Sequence, residues 1–250
     1  PPAIRDSRWF MYPFFMIAYR GRNIREVMDF KSRVHSFTPQ DYDRFYNNLN
    51  TISRNRVTDL NKPSLNFILN NIDPTAETLI DVGCGTGNIL AFLKEQASVK
   101  EMVGIDSSEV ALTEAASLGV ETILSTDLLS ALQKVKKADY VLFLEVLEHV
   151  ADAEALLKQG METATQGVFF SVPNTGFFTY RLRLLFGKFP LQWRVHPGEH
   201  VRFWTKSDLI WWLKALGISK YTLTTYKGVP LLSKLFPSLF AAAFVVSVDL

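Results

Sequence analysis

Thr78-Leu-Ile-Asp-Val-Gly-Cys-Gly-Thr-Gly-Asn88 is an apolar strand that runs straight into three glycines, with a carboxylate two residues ahead of the first. Gly83, Gly85 and Gly87 permit a sharp turn from strand to helix and let a ligand approach the backbone without obstruction by Cβ atoms. That much fits many nucleotide cofactors. Asp81 narrows the choice. A dinucleotide would rest its diphosphate on this loop and on the helix N-terminus behind it, where Asp81 would add an uncompensated negative charge. A ligand that carries cations and no phosphate is attracted instead. S-adenosylmethionine, with its sulfonium and ammonium groups, is such a ligand, and the stretch reads as a methyl-donor site.

The following segments repeat the pattern of strand and terminal acid. Glu101-Met-Val-Gly-Ile-Asp106 ends 19 positions after Gly87, near the spacing at which a carboxylate meets ribose hydroxyls in βαβ units, so Asp106 is the ribose ligand expected. A third strand, Glu121 to Asp127, again finishes on an acid. Asp127 is placed to accept from the adenine amino group, with a helix N-cap as the alternative reading. The fourth, Ala138 to Glu145, is a nearly continuous apolar run, as a parallel strand covered on both faces requires. It opens into Glu145-Val-Leu-Glu-His149. Together these acids point polar groups to the carboxyl edge of one sheet, where open α/β sheets bind ligands.

With those pieces assembled, residues 75–175 resemble the core of the class I S-adenosylmethionine-dependent methyltransferases. The matching motifs are Leu79 to Gly87, Val103-Gly-Ile-Asp106, the Asp127 position, Leu144-Glu-Val-Leu-Glu-His149 and Phe170-Ser-Val-Pro-Asn174. Farther on, Pro173-Asn-Thr-Gly176, the stretch through Gly187-Lys-Phe-Pro190, His200-Val-Arg-Phe-Trp-Thr205 and Leu209 to Gly217 are similar to MetW-type proteins and to many methyltransferases of glycan and natural-product pathways. The resemblance implies a Rossmann-like, mostly parallel seven-stranded α/β sheet with helices on both faces. It also implies donor contacts at Asp81, Gly83, Cys84, Gly85 and Gly87, at Asp106 and Ser107, at Asp127 and Leu128, and at Glu145, with S-adenosylhomocysteine as product. It is specific for fold and cofactor and says little about the acceptor.

Composition sets outer bounds. A chain of 250 residues suits one α/β domain with an appendage. Cys84 is the single cysteine, which excludes a disulfide framework and points to a reducing, cytoplasmic setting. The apolar run Trp9 to Tyr19 is 11 residues long and contains a proline, too short to span a bilayer and without the flanks of a signal peptide. Charge is uneven: residues 1–62 hold 11 Lys and Arg against 6 Asp and Glu, and the remainder 16 against 19. A net charge of +2 argues against general nucleic-acid binding.

Two units follow from this reading. Residues 1–62 lack strand-helix alternation and form an expected helical lid or substrate cap, whose aromatic and basic side chains pack on the core and line the acceptor pocket. Contact with a membrane surface and stacking on unpaired bases are the alternatives for its Trp9 to Arg25 stretch. Residues 63–250 form the donor-binding domain, with an insertion at 174–204 in which Arg181, Arg183, Lys188, Arg194 and Arg202 face one acid, Glu199. Helices are expected at Asn88 to Gln96, Ser108 to Leu118, Asp152 to Gly160 and from Thr205 to Leu216, where Gly217 ends the last. Further strands are expected at Gly167 to Val172, Tyr221 to Tyr226 and Ala242 to Val248, the last fully apolar and central.

Methyl transfer is an in-line displacement, so alignment carries most of the catalysis and a base helps only where the acceptor must lose a proton. His149 and His200 are the candidate bases, with backbone bonding or packing as their structural alternatives. Tyr42, Tyr46, Asn174 and Arg194 are candidate acceptor contacts, and cationic groups on lid and insertion suit an anionic acceptor. Glu145, Glu148, His149 and His200 together suit a divalent ion, and similar residues hold a metal in small-RNA 3′-terminal methyltransferases. The same Glu-x-x-Glu-His occurs in enzymes that use none, and no metal is expected here. The leading reading is O-methylation of a small molecule or of a glycan or natural-product intermediate. A metal-assisted RNA methyltransferase and a non-catalytic MetW-type partner protein are the alternatives.

Overall fold

The computed structural model describes residues 38–48, 62–97, 99–190, 192 and 198–250. Seven strands form one sheet in the order β3-β2-β1-β4-β5-β7-β6. These are β1 (Thr78–Val82), β2 (Glu101–Asp106), β3 (Glu121–Leu124), β4 (Ala138–Leu144), β5 (Ala164–Pro173), β6 (Tyr221–Gly228) and β7 (Ala241–Asp249). β1 to β5 pair in parallel, and β7 enters antiparallel between β5 and β6. The expected Rossmann-like fold is therefore present. The apolar last strand is flanked on both sides, as its composition required.

Consecutive apolar residues in the inner strands serve opposite faces, because side chains alternate across a strand. Leu79, Leu142 and Phe169 pack with Leu65, Ile68, Leu90 and Leu93 on one side. Ile80, Phe143 and Phe170 pack with Leu156, Leu157, Leu209 and Leu213 on the other. The first layer is supplied by α2 (Lys62–Asn71), α3 (Asn88–Gln96) and α4 (Glu109–Ser117), the second by α5 (Leu128–Leu132), α6 (Ala153–Thr163) and, beyond the insertion, α8 (Lys206–Ala215). Ahead of them all, α1 (Pro39–Asn48) is the part of the expected lid that lies among the described residues. The Trp9 to Arg25 stretch and Arg194 lie outside them.

Local chemistry sets the helix starts. Ser108 Oγ accepts from Ala111 N, Asp152 accepts from Ala155 N, and Thr205 with Asp208 closes a capping box. Several expected bounds shift by a few residues. β3 stops at Leu124, because Ser125 to Asp127 form the turn that starts α5, and β5 begins at Ala164, three residues early. The insertion contributes α7 (Phe178–Leu185), and the β6–β7 connection contains the short helices α9 (Leu232–Leu235) and α10 (Pro237–Phe240).

Candidate active site at the carboxyl edge of the sheet

The glycine loop folds over the end of β2. Gly83, Gly85 and Gly87 have φ of 76°, 53° and 73°, a left-handed region that residues with a Cβ enter at a cost. At Gly87 space excludes a side chain too, since a Cβ would stand 2.8 Å from that of Ala115. Asp106 fixes the loop: its carboxylate accepts from Gly85 N at 2.8 Å and from Ser108 N at 2.9 Å. Burial raises the Asp106 pKa while these backbone donors oppose the rise.

Asp81 lies beneath the loop, 2% exposed, and its Oδ1 has no hydrogen-bond partner. Burial, and then the charge of Asp106, pushes its pKa up to about 8. Two buried carboxylates thus sit near each other, one with an orphaned oxygen. Such an arrangement is costly unless a cation or donor joins it. The site accordingly fits a cationic methyl donor, to which Asp81 and Asp106 offer negative charge. Cys84 is buried and weakly bonded to Gly85 O, and burial drives its thiol pKa upward, so it is an inert packing residue. Ser107 is half-buried beside Asp106.

Asp127 behaves as a cap. Its carboxylate accepts from Ser130 N at 3.0 Å and Ser130 Oγ at 2.6 Å, bonds that lower its pKa, while the side chain faces solvent and Leu128 begins α5. Glu145 is the other departure. Its backbone is left-handed at φ 60°, held by Glu145 N donating to Ser171 Oγ at 3.0 Å. Its carboxylate accepts from Tyr226, from Ser171 Oγ at 3.1 Å and from Lys227 Nζ at 3.2 Å. The side chain therefore bonds to β6. Neither Tyr226 nor Lys227 was distinguishable in the sequence, because only the β5–β7–β6 pairing brings them there.

Beyond β4 a 3-10 turn, Leu147–His149, meets the end of the insertion. Glu148 O accepts from Val201 N at 2.8 Å and Arg202 N at 3.1 Å. This clamp sets the His149 and His200 rings edge to face, centroids 4.6 Å apart. His149 Nδ1 lies 2.8 Å from the Glu199 carbonyl oxygen, which only accepts, so Nδ1 carries the proton and Nε2 the lone pair. Tyr42 Oη approaches the same Nδ1 at 3.3 Å from α1. Two more α1 residues reach the donor region: Asp43 accepts from Ser108 Oγ at 2.5 Å, and the Tyr46 hydroxyl covers Gly85, 2.7 Å from where a Cβ would stand. Burial raises the Tyr42 pKa, so the phenol stays neutral.

Glu148, His149 and His200 each offer a ligand atom, all within 4.8 Å of one another. Glu148 is 1% exposed with Oε2 lacking a hydrogen-bond partner, and burial, with Glu145 nearby, holds its carboxyl pKa well above the usual range. Of the four residues weighed as a metal set, three converge, and Glu145 is engaged elsewhere.

Asn174 lies inside the fold. It is fully buried, its amide donating to Ala241 O at 2.6 Å and its Oδ1 accepting from Gly176 N at 2.9 Å, so it pins the end of β5 to β7. The Glu199 carbonyl that positions His149 was not legible in the sequence, because a backbone oxygen is not marked by residue type.

Residues 53–223 match the model of a family described as a methyltransferase domain. Among curated proteins, the chain is 30% identical over 162 residues to a ubiquinone biosynthesis O-methyltransferase of Idiomarina loihiensis, covering 60% of this chain and 65% of that protein. It is 31% identical over 172 residues to the one of Pseudoalteromonas translucida, covering 64% and 71%. The chain thus spans about two thirds of the length of these relatives. A crystal structure of an S-adenosylmethionine-dependent methyltransferase from Archaeoglobus fulgidus superposes with a TM-score of 0.56 at 18% identity, over 77% of this chain and 94% of that one, a likeness of fold.

Proposed function

This chain belongs to the methyltransferase-domain family, and on that premise we propose that it methylates an oxygen of a small molecule, or of a glycan or natural-product intermediate, using S-adenosylmethionine. The observation that carries the reading is Asp81: a buried carboxylate with an orphaned oxygen, beside Asp106, under the glycine loop. The O-methyltransferases among its relatives support oxygen as the acceptor atom.

When bound, S-adenosylmethionine supplies a methyl carbon activated by positive sulfur. Asp81 attracts the cationic end of the donor, and Asp106 accepts from the ribose hydroxyls while holding Gly85 in place. His149 Nε2 would take the acceptor hydroxyl proton as the new C–O bond forms and the methyl–sulfur bond breaks, its electron pair leaving with S-adenosylhomocysteine, and the protonated imidazole would keep its Nδ1–H anchored on the Glu199 carbonyl. Glu199 acts by position, fixing the tautomer, and His200 buttresses the ring.

The reading is tested by calorimetric titration of S-adenosylmethionine into wild type and Asp106→Ala, combined with an acceptor screen read by homocysteine release. Micromolar binding that the substitution abolishes is expected. Unchanged affinity in Asp106→Ala would remove the basis of the assignment.

A further inference from the structure

Among the described residues, the large apolar side chains most open to solvent concentrate in two connections, Trp211 and Leu124 apart. After β5, Leu185 is 76% exposed and Phe186 73%, with Phe189 at 61% just beyond; between β6 and β7, Leu231 is 70% exposed, with Leu235 and Phe236 beside it. The two segments touch. Phe178 packs on Phe240 with centroids 5.5 Å apart, and an Arg181 Nη donates to Ser238 O at 3.3 Å. At the outer end Phe189 meets Phe203 edge-on at 6.1 Å. The result is one apolar rim.

Topology places this rim beside the cleft. β6 runs in the same direction as β5, because each is antiparallel to β7. Both connections therefore leave from the sheet edge that carries Asp81, Asp106 and His149. Exposed Arg181, Lys188 and Lys234 are interleaved with the apolar groups, and the sequence has no acid from Asn174 to Gly198 or from Tyr221 to Val248. Leu231 starts α9 from a positive φ of 63°, its carbonyl accepting from Lys234 N and Leu235 N, and this turn holds the leucine side chain out in water.

A contiguous exposed apolar surface marks an interaction site. A second copy meeting this face symmetrically would oppose like charges to like. Nucleic acid would match the cations but would leave the leucines without a role. An anionic bilayer satisfies both sets, with leucine and phenylalanine entering the boundary of headgroups and acyl chains and the cations lying on lipid phosphates. We propose that this rim docks on the surface of an anionic lipid bilayer, turning the open edge of the cleft toward the headgroups. The docking is independent of the methyl-transfer reading. If that reading also holds, a membrane-resident amphipathic acceptor enters from this side.

The test is vesicle flotation of the full chain, without donor or acceptor, on phosphatidylcholine vesicles with and without phosphatidylglycerol. Binding is expected only with the anionic lipid and should weaken with salt. Leu185→Glu/Phe186→Glu should reduce it at least about tenfold, and Lys188→Glu/Lys234→Glu about tenfold, with circular dichroism and thermal midpoint unchanged. No flotation at low ionic strength, equal binding to neutral vesicles, or binding indifferent to both double variants would overturn the proposal. So would light scattering that shows a wild-type dimer dissociated by Leu185→Glu/Phe186→Glu, since the rim would then belong to a second copy.

Discussion

Donor affinity should depend on pH through Asp81. With its pKa pushed up to about 8 in the donor-free protein, only about 1 in 100 molecules carries the charge at pH 6, rising to about 1 in 4 at pH 7.5. If the cationic donor is held by the ionised carboxylate, its apparent affinity rises about 25-fold over that interval, or ~2 kcal/mol at ~1.36 kcal/mol per tenfold. The interval stops at pH 7.5 because an amino group such as the donor's own titrates at about 7.7–8.0. Titration calorimetry in two buffers of different ionisation enthalpy reads both consequences: affinity climbing with pH, and release of close to one proton per donor bound at the acidic end. Asp81→Asn should bind more weakly at pH 7.5 and show a much flatter profile. The sign for stability is opposite. The unfolded chain releases this proton near the ordinary 3.8 and the folded donor-free chain only near 8. The Asp81 contribution therefore makes the native state less stable as pH rises between those values, by up to ~1.4 kcal/mol per pH unit, and bound donor offsets the loss. Affinity constant within twofold from pH 6 to 7.5, with no proton released, would refute the reasoning.

Two further outcomes follow from the site. His149→Ala should lower kcat by about 10²–10⁴ while donor affinity, measured by calorimetry, changes less than severalfold; a kcat close to wild type would remove the histidine from the reaction. Chelation by EDTA should leave the rate of homocysteine release within about twofold, because Glu145, the fourth of the residues weighed for an ion, is engaged by Tyr226 and Lys227; a loss restored by manganese would make the Glu148–His149–His200 cluster a metal centre.

What the sequence made legible was whatever depends on neighbours along the chain. The glycine loop, the acids at strand ends and the helix caps are local patterns, and strand periodicity fixed the order of elements around them. Asp127 shows the limit of such reasoning, since a carboxylate after a strand and a carboxylate capping a helix occupy the same position in sequence, and here the cap takes both oxygens. Asn174, a candidate acceptor contact in the sequence, has its amide drawn inward by the insertion of β7 next to β5. The partners of Glu145 lie 81 and 82 residues away and meet it only once the sheet is complete.

His149 is gripped from two sides by segments that are not part of the sheet: Tyr42 comes from α1, and the Glu199 carbonyl from the end of the insertion. The donor cradle of Asp81, Asp106 and the glycines belongs to the sheet itself. Only the insertion end is independent of that cradle, since α1 also covers it through Asp43 and Tyr46; on the proposed reading, loosening the insertion leaves a chain that is loaded yet idle, whereas loosening α1 disturbs the loading too.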